Sequence, residues 1–228
     1  MRSTRRVFIG GAVTAATAAG AVAVGIGAPA GAAAPAGTVG TPPLLRPRRL
    51  RPGDTVALIN PSNAVYEREP YLRAAENLQG LGFTVREAPN LHARRGQFAG
   101  TDAQRASDVN AMFADPEVHG ILAMTGGSGG NRMLPLVDYN LIRRHPKFLG
   151  GFSDLTALLN AVHQQTGLVT FHCPVATSEW NPYSVAQFKA VAMAPGAEGE
   201  AATLRNPVDN GDGLATRNGR TMTLRGGR

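Results

Sequence analysis

With 228 residues, 43% of them hydrophobic and 17% charged, the chain can bury one sizeable core or two small ones and does not have the composition of a disordered polymer. Its formal charge of +7 falls to +4 if an acid-free leader carrying Arg2, Arg5 and Arg6 is removed, so little basic character is left to draw an anionic partner. The single cysteine, Cys173, excludes an internal disulfide and a cysteine-built zinc cage, since either needs more than one thiol.

The leader comes first. Arg5 and Arg6, with Phe8 two positions on, precede an uncharged run of Ala, Gly and Val that reaches about Ala36, the pattern of a twin-arginine export address. The run approaches bilayer-crossing length, but small residues dominate it. Ala28, Ala30, Ala32 and Ala34 offer cleavage sites, so residues 1–36 are expected to be removed rather than kept as a membrane anchor. The product is then extracellular or held in the cell envelope. Residues 37–53, rich in Pro and Arg, read as a linker. Their cluster of Arg46, Arg48, Arg49 and Arg51 has no interleaved aromatics on which bases could stack, and nucleic acid is not an expected partner.

Regular structure is expected from Thr55 to Asn60, an apolar run that reads as a buried first strand. Arg68 to Gly80 has helical spacing and ends in glycine, and Phe83 to Glu87 reads as the second strand. Thr101 with Gln104 forms a capping box ahead of Ala106, Val109, Met112 and Phe113 on one helical face. Val118 to Met124 is the next strand, followed by a glycine-rich turn leading into Met133 to Val137. Lys147 to Gly151 and Leu168 to Phe171 are further strands, flanking a helix over Asp154 to Gln165. Strands alternating with helices imply an α/β domain over 54–195, a Rossmann-like parallel sheet covered by helices on both faces. Residues 196–228 read as a partial segment with a hairpin whose return strand is Thr221 to Leu224. In such a sheet ligands bind outside the carboxyl ends of the strands, here Asn60 to Asn63, Thr125 to Gly130 and Gly151 to Asp154.

Ser153 stands between a strand and a helix, where a tight turn would present its hydroxyl beside the helix's first amides, as in a nucleophile elbow. The letters around it are not GxSxG, and on spacing alone a helix N-cap is the more ordinary reading. The turn at Gly126 to Gly130 could cradle phosphate through its amides, supply an oxyanion donor, or be a plain connection; it lacks the Lys-Ser/Thr ending of a P-loop and has Arg132 where a dinucleotide fingerprint has glycine. Among His92, His119, His145, His163 and His172, the last sits at a strand end and is the best placed base, with a structural hydrogen-bonding role as the alternative. HExxH is absent and no metal cluster is visible, so no metal or organic cofactor is expected.

Four runs in order from about Leu44, LRPGDTVALINPSN, QFAGTDAQRASDVNAMFADP, GGSGGNRMLPLVDY and HPKFLGGFSDLTALLNAVHQQTGLVTFHCP, resemble the amino-terminal half of the LD-carboxypeptidase family of serine peptidases. The resemblance implies removal of the terminal D-alanine from murein tetrapeptides by a Ser, Glu, His triad. It maps the nucleophile onto Ser153, and oxyanion donors onto the Asp154 amide and the turn at Gly126 and Gly127. The family's Glu and His belong to a carboxyl-terminal domain and are not present in this chain, which is therefore expected to be truncated and inactive alone. Ser128 stands where the family has an aromatic residue and Cys173 where it has glycine, which bears on substrate contacts. The expected partner is a peptidoglycan-derived peptide, with a homodimer left open. The alternatives are a non-catalytic wall-peptide binding remnant and a same-fold peptidase acting on a peptidyl-nucleotide antibiotic.

Overall fold

The computed structural model describes residues 42–193 and the backbone of 203–205 and 221–223. The leader over 1–36 and the domain boundary at 195/196 lie outside the described residues.

Five parallel strands form one sheet: β1 (Thr55–Ile59), β2 (Thr84–Glu87), β3 (Gly120–Ala123), β4 (Phe148–Gly151) and β5 (Phe171–His172), in the order β2-β1-β3-β4-β5. The order reverses between β1 and β3, so the crossovers leave a crevice at the carboxyl edge there. Among the described residues six α-helices are interspersed: α1 (Glu69–Gly80), α2 (Asp102–Ala114), the short α3 (Gly130–Met133), α4 (Tyr139–Arg144), α5 (Thr156–Thr166) and α6 (Pro182–Phe188). The expected α/β sheet covered on both faces is what the chain forms.

The two faces follow from the strand period of two. In β1, Ala57 and Ile59 join Val109, Phe113, Leu158 and Val162 on one side, while Val56 and Leu58 join Tyr71, Leu78 and Phe188 on the other. A strand buried on both faces reads as a continuous apolar run rather than an alternation, which is why TVALI and GILA are legible as central strands. The capping box of α2 is formed: Thr101 Oγ1 accepts from the Gln104 amide at 3.1 Å, and Gln104 Oε1 from the Thr101 amide at 2.9 Å.

Three expectations need correction. The Pro/Arg segment is not a free linker over its described part: the Leu45 amide donates to Gly167 O at 2.8 Å, the Val169 amide donates to Leu45 O at 2.8 Å, and Leu50 is fully buried. The strand placed at Leu168 to Phe171 is shifted, because Leu168 bridges to Leu45 and ladder pairing begins only at Phe171. The helix after Ser153 opens as a 3-10 turn over Ser153–Leu155 before α5 begins. The return strand of the hairpin is present as β7 (Thr221–Thr223), antiparallel to β6 (Thr203–Arg205).

Candidate active site

β4 carries the chain, fully buried, to the carboxyl edge. Phe152 continues in an extended conformation, and Ser153 then turns to φ 62°, the only non-glycine residue at positive φ among the described residues. The left-handed region costs an L-residue about 1–2 kcal/mol because Cβ crowds the following carbonyl. This strain aims the side chain away from the sheet, and Ser153 is exposed. Its successor Asp154 lies in the first turn of the helical run, where backbone amides are unpaired and face outward.

The β3–α3 turn presses against this serine. A Cβ on Gly126 would lie 2.9 Å from Ser153 Oγ and 3.8 Å from the Asp154 nitrogen, so only glycine leaves that point open. Gly127, at φ 137°, would drive a Cβ to 2.3 Å from Asn63 Cγ. The space kept clear by these two residues is bounded by a hydroxyl and by amides that can donate to a developing oxyanion.

Long-range hydrogen bonds hold the pieces in register. Asp154 Oδ2 accepts from Ser62 Oγ at 2.7 Å and from the Gly130 amide at 2.7 Å, so one carboxylate fastens the β1 loop and the glycine turn to the elbow. Asn63 Oδ1 accepts from the Ser128 amide at 3.0 Å and its hydroxyl at 3.2 Å, and Gln97 donates to the same hydroxyl at 3.1 Å. Beneath the turn lies Arg105, buried to 1% exposure, donating to Pro61 O at 2.6 Å and Gly129 O at 2.9 Å and pairing with Asp102. Arg132 pairs with Asp102 at 3.0 Å, and both guanidiniums sit against the Phe98 ring, 5.3 and 5.1 Å from its centroid. Desolvation opposes ionisation of Asp102, but hydrogen bonds from Arg105 and Arg132 outweigh it and hold the carboxyl below its ordinary range.

All three segments expected at the sheet's carboxyl edge therefore converge: Ser153, Asp154, Gly126 and Gly127 meet at one place. The histidines do not. His92 pairs with Glu87 at 2.8 Å, His119 Nδ1 accepts from the Thr55 amide at 3.0 Å, and His163 Nδ1 lies 2.9 Å from Leu168 O. His172, opposite Gly151 in the β4–β5 register, lies against the Phe152 ring at 6.2 Å. Among the described residues no histidine hydrogen-bonds Ser153. Cys173 is not a rival nucleophile, since desolvation pushes its thiol up to about 12. Among the described residues no group of three or more His, Cys, Asp or Glu could hold a metal ion.

A cleft of about 640 Å³ opens beside Ser153 between Asn63, Gly126, Arg73 and Thr177. Phe152 and Ser178 line both this cleft and a smaller one of about 320 Å³ that contains His172 and Glu179. Ser62 and Asn63 fall in a segment expected at the ligand edge but with no role assigned to either, and Arg105 was overlooked. For Arg105 a signal existed: it falls in helical period with Val109 and Met112, so a cation occupies the stripe that faces the core.

Fold and site together define the class, a doubly wound α/β protein with a serine at a strand-to-helix elbow on the carboxyl edge of its sheet. The chain belongs to the LD-carboxypeptidase family: residues 56–173, more than half of it, match the family's amino-terminal domain. It is 40% identical over 134 residues to a probable murein peptide carboxypeptidase of Bacillus subtilis, a match covering 59% of this chain and 42% of that protein. It is 33% identical over 127 residues to a microcin self-immunity protein, MccF, of Escherichia coli, covering 55% of this chain and 37% of the relative. The crystal structure of an MccF-like protein from Bacillus anthracis superposes with a TM-score of 0.65 at 28% identity, over 78% of this chain and 56% of that one. The chain thus spans less than half the length of these curated relatives.

Proposed function

We propose that this chain is the nucleophile-bearing part of an exported LD-carboxypeptidase that releases D-alanine from murein tetrapeptides. The observation that carries the reading is Ser153: strained, exposed, and abutted by Gly126 so closely that no side chain fits between them. Ser153 Oγ attacks the carbonyl carbon of the terminal peptide bond and gives its proton to a base, while the carbonyl oxygen takes up charge facing the Asp154 amide and the Gly126–Gly127 turn. The C–N bond breaks, the amine leaves with that proton as D-alanine, and water then splits the acyl-serine ester and restores the hydroxyl. The base and its orienting carboxylate are assigned to the part of the family fold that lies beyond the matched domain.

The leader's twin arginines support export, and replacing Arg5 and Arg6 by lysine should retain the protein in the cytoplasm. For the reaction, the chain extended by a relative's carboxyl-terminal domain is incubated with a murein tetrapeptide and free D-alanine is measured, with Ser153→Ala in the same extended chain beside it. Loss of release by a factor of about 10⁴ or more in the variant is expected; release that survives the substitution would overturn the assignment. A peptidyl-nucleotide substrate is a second reading, favoured by the polar wall of Ser128, Asn63 and Gln97. It requires faster release from a peptidyl nucleotide than from the tetrapeptide.

A further inference from the structure

We infer that the cleft beside Ser153 holds a carboxylate subsite in which Arg73 receives the free carboxylate of a peptide's terminal residue. The inference rests on the peptidase reading above and names how the same site would recognise a chain end. Among the described residues, Arg73 is the one side chain in the wall of this cleft that carries a charge; the rest of that lining is apolar or neutral and polar. Arg73 shares its flank of α1 with Pro70, one turn earlier, which also lines the cleft, whereas Tyr71 and Ala74 turn inward to the core.

The guanidinium has donors to spare. Its ionic partner among the described residues is Glu69, one turn away at 3.7 Å, beyond hydrogen-bond distance, with both side chains more than half exposed. A pair of that kind contributes little, and a carboxylate arriving with bidentate geometry displaces it readily. The helix bearing Arg73 is fixed relative to the nucleophile, because Asn77 Nδ2 donates to Ala176 O at 2.8 Å and to Ser178 O at 3.3 Å, and Ser178 belongs to the cleft wall. An exopeptidase must tell a chain end from an internal residue, and the free carboxylate that marks the end is matched by a guanidinium. The charge in the smaller cleft across Phe152 is Glu179, which would repel that end of the peptide. The two clefts are therefore polarised, with the acid terminus directed to the Arg73 side.

The test is a binding measurement that needs no turnover. The ¹⁵N-labelled 228-residue chain is titrated with N-acetyl-L-lysyl-D-alanine and, separately, with its carboxyl-terminal amide, following the backbone signals of Val65, Arg73 and Gly126. The acid is expected to bind about five- to tenfold more tightly than the amide, the scale of one net hydrogen bond at a largely exposed side chain. Arg73→Ala should abolish that preference, Arg73→Lys should restore part of it, and Glu179→Gln should leave it intact. Equal shifts with acid and amide, no shifts in the cleft with either, or a preference unchanged in Arg73→Ala would each overturn the proposal, and an equal loss in Glu179→Gln would trace the effect to the overall field instead. An acid preference in this chain together with no D-alanine release by the chain extended by a relative's carboxyl-terminal domain would remove the reaction and leave the subsite standing.

Discussion

The two flanks of Ser153 are built differently. Toward β1 and β3, the Ser62 hydroxyl, the Asn63 carbonyl, the Gly130 amide and the Arg105 guanidinium are all engaged across loops that are distant in sequence, and two glycines admit no side chain. Toward β5 and α6, the flank consists of a strand of two residues, an exposed Phe152 and an exposed His172 whose ring makes no hydrogen bond among the described residues. The contrast teaches where preorganisation is concentrated. The flank that would face a developing negative charge is rigid before any substrate arrives, while the flank on which a peptide would lie is left as open surface.

Breaking the rigid flank should cost most at its buried cation. Arg105→Met leaves the Pro61 and Gly129 carbonyls without their donor and Asp102 with Arg132 alone, and a loss of about 3–4 kcal/mol is expected in urea unfolding. Because folding lowers the Asp102 pKa, the stabilisation from this pair is present above the ordinary aspartate value near 3.9 and is lost as the pH falls. The variant should therefore show a flatter stability profile on the acid side, and an unchanged slope would remove the pair from the account.

Gly127→Ala comes next, at about 2–3 kcal/mol, since it combines a left-handed backbone with an overlap on Asn63. Asp154→Asn exchanges two charge-assisted hydrogen bonds for neutral ones and should cost about 1–2 kcal/mol, with the Gly130 amide losing protection from hydrogen exchange. Ser153→Gly should be more stable than Ser153→Ala by about 1 kcal/mol, because glycine accepts φ 62° without strain while both lack the hydroxyl. If the two variants unfold at the same urea concentration, the elbow is not strained. On the open flank, Glu179→Gln should lie within about 0.5 kcal/mol of the parent, and a larger change would mean that this surface is not open at all.

Much of the sheet was legible because its strands are short, apolar and bounded by turn residues, and the α2 cap because its two partners are three residues apart. The glycine turn and Ser153 were legible for the same local reason: each stands where a strand hands over to a helix. What escaped was whatever acts at a distance. Ser62 reaches Asp154 across 92 residues, and Arg105 joins loops that no window includes. The segment at Leu45 and Leu50 has the letters of a linker and is ordered by pairing with Leu168 and by burial against the sheet. The short helices α4 and α6 are too brief for periodicity to reveal, although Asp138 and Asn181 cap them.

The arrangement around Arg105 has a bearing on the order of assembly during synthesis. The carbonyls it binds come from segments made before and after it, and the carboxylate that closes the arrangement belongs to Asp154. As the chain emerges, the hydrogen bonds that hold the glycine turn are complete only once Asp154 has been added. Every contact that shapes it is then on hand, from residues 61 to 154. The hydrogen bonds of the glycine turn thus draw on residues made before the far wall of the cleft, which Thr177 and Ser178 complete later.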